Sequence, residues 1–254
     1  MADLARVIDR IDTSPRFTAA DVARLNARFA GVGTEAMMRT VLQEKLLDEV
    51  AIVSSFGAES AVLLHLVASI DPSVPVLFLD TGKMFPETLA YRDLLVERLG
   101  LTDFRNLTPD ADVLARKDGT GLRWSYDPDG CCEIRKVIPL EKAMRGFTAS
   151  ITGRKGFQAS TRSGLAFFEL DGDRIKFNPL ANWAKADLDA YFAAHDLPRH
   201  PLEAQGYLSI GCAPCTSIVK PGEDPRAGRW RGWDKVECGI HGEVIVKPGE
   251  EPVF

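Results

Sequence analysis

Four of the five cysteines fall into two pairs that together could bind metal. Cys131 and Cys132 are adjacent, and Cys212 and Cys215 form a Cys-x-x-Cys pair 80 positions further along (132 to 212). A disulfide between neighbours needs strained geometry, whereas four thiolates can hold structural zinc or an iron–sulfur cluster. Zinc sites usually space both ligand pairs by two to four residues, so adjacent ligands favour the cluster. Zinc, or unrelated buried cysteines, are the alternatives.

The fifth cysteine, Cys238, stands alone in the segment "VECGIHG". The glycines at 239 and 242 predict a mobile segment, which suits a nucleophile that must enter one site and then meet another protein. A thiolate is a strong nucleophile, and the preceding basic run or His241 could lower its pKa. The alternative is a lone cysteine without a catalytic role.

A basic run precedes Cys238 in a chain whose net charge is −5. The acidic balance argues against a dedicated nucleic-acid binder, so a local cationic cluster indicates a small anionic ligand. A solvated basic loop is the alternative interpretation. The cations of this run are Lys220, Arg226, Arg229, Arg231 and Lys235.

Alternating strands and helices must position these residues. Apolar, β-branched runs predict buried strands, and helical periodicity with caps such as Thr18 and Thr34 predicts helices between them. This alternation implies an α/β fold with a doubly wound, mostly parallel sheet. The strands are expected at 49–56, 74–82, 103–109 and 147–154, and the helices within 18–47, at 61–70, at 86–100 and within 178–198.

Three strand ends are polar and carry glycine: "SSFGAES", "LDTG" and "TGRKGFQASTR". In a parallel sheet these ends share one edge, where ligands bind. Gly57 allows the backbone to approach an anion at the start of a helix, although no Walker A ending is present. The sequence therefore predicts a nucleotide site. Its polar side chains are Ser54, Ser55, Ser60, Asp80, Thr81, Arg154, Lys155 and Arg162.

Composition sets the broad class of the protein. The sequence contains no run of about 18 apolar residues, so it predicts no membrane span. Residues 1–17 do not resemble a secretory signal, so we expect a cytoplasmic protein. We expect a single domain with a helical N-terminal segment (1–48), a nucleotide-binding α/β core (49–200) and an irregular, mobile C-terminal segment (201–254).

The motifs "SSFGAES", "LDTG", "CCEIRK", "GRKGFQASTR", "GCAPCT" and "ECGIH", in this order, closely resemble the assimilatory phosphosulfate reductases over residues 45–245. The four paired cysteines resemble the branch that binds a 4Fe-4S cluster and uses adenosine 5′-phosphosulfate. The resemblance implies an adenine nucleotide alpha hydrolase-like fold and a role in sulfate assimilation and cysteine biosynthesis. Cys131, Cys132, Cys212 and Cys215 fall on the cluster ligands.

The same resemblance implies a mechanism. Cys238 attacks the sulfur of the phosphosulfate, AMP leaves, and thioredoxin or glutaredoxin releases sulfite from the resulting S-sulfonate. Relatives form homo-oligomers, so one is expected here. Anion contacts fall on Lys136, Arg226, Arg229 and His241. A further contact falls on either Arg154 or Arg162. This choice stays open because Gly156 and Phe157 stand where the family is expected to carry more polar residues. Nucleotide contacts fall on Ser54, Ser55, Phe56, Gly57, Glu59, Ser60, Leu79, Asp80, Thr81 and Gly82.

Three other functions compete with this interpretation. The 3′-phosphorylated substrate, or both substrates, could be reduced. An ATP-splitting sulfur transferase or sulfate-activating subunit would need a pyrophosphate loop and would not need "ECGIH". A non-catalytic iron–sulfur sensor would not need Cys238.

Overall fold

A six-stranded sheet forms the centre of the computed structural model, which describes residues 15–158, 164–235 and 237–240. The strand order is β3-β2-β1-β4-β6-β5, and every neighbouring pair is parallel except the β5–β6 hairpin. The predicted α/β class with a mostly parallel sheet is therefore confirmed. The strands are β1 (Val50–Ser54), β2 (Val76–Leu79), β3 (Phe104–Leu107), β4 (Ala149–Thr152), β5 (Phe168–Asp171) and β6 (Arg174–Phe177).

Helices cover both faces of the sheet, which separates two apolar cores. The larger core contains α3, whose side chains are buried on most faces, as its continuous apolar run predicts. The smaller core packs Leu140 and Met144 against Leu77 of β2. The helices are α1 (Ala19–Arg28), α2 (Thr34–Gln43), α3 (Ser60–Ala68), α4 (Pro86–Arg98), α5 (Ala111–Lys117), α6 (Pro128–Cys132), α7 (Ile138–Ala143) and α8 (Lys185–Ala194).

One of the two predicted helix caps is confirmed. Thr18 caps α1 in a reciprocal capping box with Asp21. The assignment of Thr34 as a cap is wrong, because Gly33 occupies the cap position and Thr34 is the first helical residue. The Thr34 hydroxyl instead accepts a hydrogen bond from Trp183 Nε1 (2.8 Å), which ties α2 to the loop before α8.

The β5–β6 hairpin was not expected from the sequence. It closes one edge of the sheet, and Asn26 of α1 covers that edge by bonding both backbone polar groups of Phe168 (2.8 and 3.0 Å). This arrangement satisfies the groups that an edge strand leaves unpaired. Asp171 and Gly172, with a φ of +64° at the glycine, carried the turn signal that could have identified the hairpin.

Past α8 the described chain forms only short 3-10 turns and loops, as the fading periodicity predicts. Among the described residues, no helix combines the length and the apolar character that a membrane crossing requires. The division at residues 48 and 200 stays a prediction.

Candidate active site

A cavity of about 470 Å³ opens at the carboxyl ends of β1 and β4. These strands are neighbours, while the chain leaves β1 through α3 towards β2 on the other side. The cavity therefore lies at a topological switch point, where doubly wound sheets bind ligands. We call it the reaction cavity. The predicted residues in its wall are Ser54, Ser55, Gly57, Glu59, Ser60, Leu79, Lys136, Arg154, Arg226, Arg229 and Cys238.

Four predicted residues that the structure describes, Phe56, Asp80, Thr81 and Gly82, are not among those lining the reaction cavity. Phe56 is fully buried and packs edge-on against Phe78, with ring centroids 5.4 Å apart. Asp80 accepts a hydrogen bond from the Gly82 N–H (3.0 Å) and so stabilises the turn after β2. The Thr81 hydroxyl lies 3.2 Å from Cys212 Sγ instead. Arg162 and His241 lie outside the described residues.

The loop after β1 is shaped by a strained turn. Phe56 has a φ of +48°, which is uncommon for a bulky residue, and the Ser54 hydroxyl accepts a hydrogen bond from its N–H (3.2 Å). This geometry sends the Phe56 ring into the core and leaves Gly57 in the cavity wall. A Cβ atom at Gly57 would lie 3.3 Å from the Ile210 carbonyl, so the glycine allows a close approach of two loops.

Cations beside the β1–α3 loop are already paired with acids. The Lys155 ammonium lies 2.9 Å from Glu59, which also accepts a hydrogen bond from Gln158 Nε2 (2.9 Å). Lys185 lies 2.9 Å from Asp189 and 3.7 Å from Glu59. Arg154, at the end of β4, forms an ion pair with Glu169 and a hydrogen bond with Asn178. Among the described residues at this end of the cavity, each of these three cations therefore has a carboxylate partner.

Cations on the Cys238 side are arranged differently. Lys136 is buried and Arg229 is largely covered, and neither has a carboxylate partner among the described residues. Burial works to lower the pKa of Lys136, but the thiolates of Cys212, Cys238 and Cys132 outweigh it and hold the pKa above its ordinary value. Two charged donors beside a half-buried thiol can bind an anion that presents its reactive atom to sulfur.

A second, smaller cavity, which we call the cysteine cavity, lies beside the first. It is lined by Cys131, Cys132, Cys212 and Cys215. Burial raises the pKa of Cys132 to about 11. Burial also works to raise the pKa of Cys212, but the Lys136 ammonium and the Thr81 hydroxyl outweigh it and lower the pKa. Within the described ranges, no three Cys, His, Asp or Glu side chains converge on a position for one metal ion.

A widened helical turn directly follows the two adjacent cysteines of the cysteine cavity. Both end α6, and a π-helical segment (Glu133–Val137) follows directly and continues into α7. Pro139 has no N–H and its ring would clash with the carbonyl four residues earlier in a regular helix, which favours the wider π turn. The Ile138 N–H accordingly donates to the Glu133 carbonyl, five residues back. π turns are frequent at functional sites.

The π segment directs its two cations to different places. Lys136 reaches the wall of both cavities. Arg135 forms an ion pair with the fully buried Asp118 (2.6 Å) and donates a hydrogen bond to the Thr81 carbonyl (2.7 Å). Arg135 therefore connects the end of α5 to the loop after β2, and holds the segment that carries Lys136.

Several residues in the reaction cavity were not singled out as site residues from the sequence. Lys185 and Glu203 come from α8 and the loop after it, and Trp230 lines both cavities. The positions of Lys185 and Glu203 had no motif to mark them, because a charged residue on a helix or turn is most often solvated. Trp230 lay inside the basic run, where an aromatic residue between cations was the available signal.

Comparison with known proteins identifies the relatives of the chain. Residues 49–218 match the model of the phosphoadenosine phosphosulfate reductase domain. A protein named adenosine 5′-phosphosulfate reductase from Mesorhizobium japonicum is 50% identical over 236 residues, which cover 93% of each chain. A protein named phosphoadenosine 5′-phosphosulfate reductase from Gloeobacter violaceus is 41% identical over 76% of this chain and 83% of that one.

Solved structures agree on the architecture. The phosphate complex of phosphoadenylyl-sulfate reductase from Candida auris has a TM-score of 0.68 and 25% identity, and the match covers 80% of this chain and 98% of that one. Candida glabrata FMN adenylyltransferase has a TM-score of 0.52 at 16% identity, covering 80% of this chain and 74% of that one. The second match shows a shared fold alone.

Proposed function

Because the chain belongs to the phosphoadenosine phosphosulfate reductase family, we propose that it reduces adenosine 5′-phosphosulfate to sulfite and AMP. One observation carries the proposal. The Cys238 thiol lines the same cavity as the β1–α3 loop and as two cations, Lys136 and Arg229, that lack carboxylate partners among the described residues. The cavity therefore combines a loop that can bind the nucleotide, two cations that can bind the phosphosulfate and a thiol that can attack its sulfur.

Charge balance favours adenosine 5′-phosphosulfate over its 3′-phosphorylated form. Around the β1–α3 loop, Lys155, Lys185 and Arg154 are each paired with a carboxylate, and Glu203 adds a further acid to the wall. An additional phosphate there would have to compete with acids for these cations and would be repelled by them. Relatives at 50% and 51% identity carry the name adenosine 5′-phosphosulfate reductase, whose substrate lacks the 3′-phosphate.

In the first step, the Cys238 thiolate attacks the sulfur of the phosphosulfate. A bond forms between Cys238 Sγ and that sulfur, and the bond from sulfur to the bridging oxygen breaks. The electron pair leaves with AMP, and Cys238 keeps the SO₃ group as an S-sulfonate. Lys136 and Arg229 hold the anion and offset the charge that grows on the departing phosphate.

In the second step, a dithiol protein of the thioredoxin or glutaredoxin class reduces the adduct. Its thiolate attacks Cys238 Sγ, a mixed disulfide forms, and sulfite leaves with the electron pair of the broken sulfur–sulfur bond. The second thiol of the reductant then releases Cys238 and leaves the reductant as a disulfide. Two electrons have passed from the dithiol to sulfur.

The donor set of the cysteine cavity fits an iron–sulfur cluster. Four cysteines line one cavity, with a buried ammonium and the Thr81 hydroxyl beside Cys212 Sγ. Cys131, Cys132, Cys212 and Cys215 would hold a 4Fe-4S cluster. When bound, the group would supply charge next to Lys136 and no electrons, because both reducing equivalents come from thiols. Rapid-mixing spectra that showed reduction of the cluster during turnover would refute this electrostatic role.

Sulfite release tests the function directly. We expect the holoenzyme to release sulfite from adenosine 5′-phosphosulfate with thioredoxin, and not to hydrolyse ATP. Without reductant, mass spectrometry of the intact protein should find one added SO₃ group. Cys238→Ser should abolish both signals and keep the iron content. Sulfite production by the Cys238→Ser protein would refute the nucleophile, and ATP hydrolysis would favour the ATP-splitting relatives.

Four further properties belong to the same proposal. The ratio of kcat/KM for the two sulfonucleotides measures the substrate preference, and comparing thioredoxin with glutaredoxin identifies the better reductant. Light scattering of the purified protein tests the expected homo-oligomer, and cell fractionation tests the expected cytoplasmic location.

A further inference from the structure

We propose that Trp230 is a positioning residue that holds the cations of the phosphosulfate end in place with the face of its indole ring. The inference rests on the proposed function, since it assigns a role within that site. The mechanism above does not use Trp230, and its place in the cavity wall emerges from the geometry alone.

Three cations surround the indole of Trp230. The Arg229 guanidinium carbon lies 4.4 Å from the ring centroid, the Lys235 ammonium 5.4 Å and the Arg226 guanidinium carbon 5.9 Å. These distances fall within the range of cation–π attraction, which is stronger where water is excluded. Trp230 is 3% exposed, so the attraction acts in a largely dry environment.

The three cations differ in what else holds them. Arg226 forms an ion pair with Glu237 (3.0 Å), and Lys235 forms one with Asp129. Arg229 has no such acid among the described residues, and its buried Nε atom has no hydrogen-bond partner there. Its guanidinium packs against the indole and against Gly211, where an added Cβ would collide with it. The position of Arg229 therefore depends most on Trp230.

The backbone at Trp230 is held in a conformation that bulky residues rarely adopt. Its φ is +47°, in the left-handed region. Two backbone hydrogen bonds hold it: the Trp230 N–H donates to the Cys215 carbonyl (3.1 Å), and the Trp233 N–H donates to the Trp230 carbonyl (2.9 Å). Such strain persists where the surroundings determine it, and it clusters at functional sites.

Trp230 also separates the two cavities. Among the described residues, Lys136 and Trp230 are the ones that line both the reaction cavity and the cysteine cavity. The indole thus forms a fixed wall from which Arg229 extends towards the substrate. Trp230 therefore acts on the substrate through Arg229, because it fixes the position of the Arg229 guanidinium.

The test measures binding without turnover. In the Cys238→Ser holoenzyme, calorimetry gives the Kd of adenosine 5′-phosphosulfate for variants at Trp230. We expect Trp230→Leu to weaken binding by roughly 10-fold and Trp230→Phe, which keeps an aromatic face, by about 3-fold or less. Trp233→Leu is the matched control, because Trp233 is exposed and lies outside both cavities. It should leave the Kd unchanged.

A double-mutant cycle separates positioning from general structural damage. In an Arg229→Ala background, Trp230→Leu should cause little further loss, because the guanidinium that the indole holds is gone. An equal loss in both backgrounds, or equal effects of Phe and Leu, would overturn the inference. Trp230→Met replaces Trp230→Leu if the leucine protein does not fold. Iron content and circular dichroism verify each variant.

Turnover provides the remaining readout and keeps the two proposals distinguishable. With Cys238 intact, Trp230→Leu should raise KM, because the bound anion loses its contact with Arg229, and should also lower kcat, because the charge on the departing phosphate is less well offset. If the wild-type protein releases no sulfite, the proposed function fails. If it releases sulfite and Trp230→Leu binds substrate normally, the inference about Trp230 alone fails.

Discussion

At the scale of single residues, the two ends of the reaction cavity differ in how their charges are satisfied. Lys155 and Lys185 beside the nucleotide loop have acids as partners, whereas Lys136 and Arg229 beside Cys238 have thiols and an indole. Glu237 also lines this end of the cavity, but it is paired with Arg226, and neither Lys136 nor Arg229 has a carboxylate partner among the described residues. We therefore expect the ligand to be oriented by charge, with its anion towards Cys238.

Gly211 offers a selective test of Arg229. Gly211→Ala places a methyl group against the Arg229 guanidinium, and the far end of that flexible side chain must move. We expect the KM for adenosine 5′-phosphosulfate to rise about 10-fold or more, since a charged hydrogen bond contributes roughly 1.5–3 kcal/mol. The free energy of unfolding should change by less than about 1 kcal/mol, as measured in urea.

Gly33→Ala is the control for Gly211→Ala. Nothing lies within 4 Å of a Cβ at Gly33, which is outside the reaction cavity, so KM should stay the same. An unchanged KM in Gly211→Ala would show that Arg229 does not bind the substrate from its present position.

Residue types predicted much of this cavity, and packing explains the remainder. The Ser and Gly residues after β1 and the cysteine in "ECGIH" line it, because strand ends and motifs are local properties of the chain. Phe56 turned inward because the left-handed turn points its ring at Phe78. Glu203 enters the wall through the folding of a distant loop, which no local pattern in the sequence records.

At the scale of elements, the connection from α5 to the π segment depends on one buried ion pair. Asp118 is fully buried and Arg135 is 8% exposed. Burial works to raise the pKa of Asp118, yet hydrogen bonds from Arg135 and a backbone N–H hold that pKa below its ordinary value, so the carboxylate stays charged. Removing one partner would leave the other as an uncompensated buried charge.

We therefore expect Asp118→Ala to lower the free energy of unfolding by about 3 kcal/mol or more. The double variant Asp118→Ala/Arg135→Met should recover part of that loss, because no unpaired charge remains. Urea denaturation of the holo protein measures both. Glu35→Ala, which breaks an exposed pair with Arg39 within α2, is the control and should cost less than about 1 kcal/mol. Equal costs at Asp118 and Glu35 would contradict the buried role of Asp118.

Strands and helices with a clear apolar run were predictable, and the short helices between β3 and β4 were not. Strands β1 and β2 and helix α4 lie within their predicted ranges, and helix α3 begins one residue before its predicted start, because their apolar runs are long and their ends carry glycine or proline. Residues 111–143 contain α5, α6, the π segment and α7, which the sequence did not predict. Their hydrophobic residues contact the sheet and the cysteine cavity over short stretches, so no sustained period identifies them.

At the scale of the whole molecule, His200 links stability to pH. It is 1% exposed, its Nδ1 accepts a hydrogen bond from the Leu202 N–H, and its Nε2 bonds to Thr88 (3.0 Å). Burial lowers its pKa from 6.5 to about 4. Between these values the unfolded chain binds a proton that the folded protein excludes. Stability is therefore fully present above pH 6.5 and falls as the pH falls towards 4.

The expected loss from His200 across this window is about 3 kcal/mol at most. Urea midpoints between pH 7 and pH 4 should fall more steeply for the wild type than for His200→Gln, which cannot titrate. His65, whose pKa burial also lowers, titrates in both proteins and cancels in the comparison. Parallel curves would show that His200 becomes protonated within the folded protein without penalty.

The 80 positions between Cys132 and Cys212 have a consequence that belongs to polymer physics. A group held by both cysteine pairs joins two remote points of the chain and works as a cross-link. Closing a loop of this length lowers the conformational entropy of the unfolded ensemble, which stabilises the folded protein by about 4 to 5 kcal/mol. Chelating that group should therefore shift the denaturation midpoint of the entire chain, including parts of the sheet that touch neither cysteine pair.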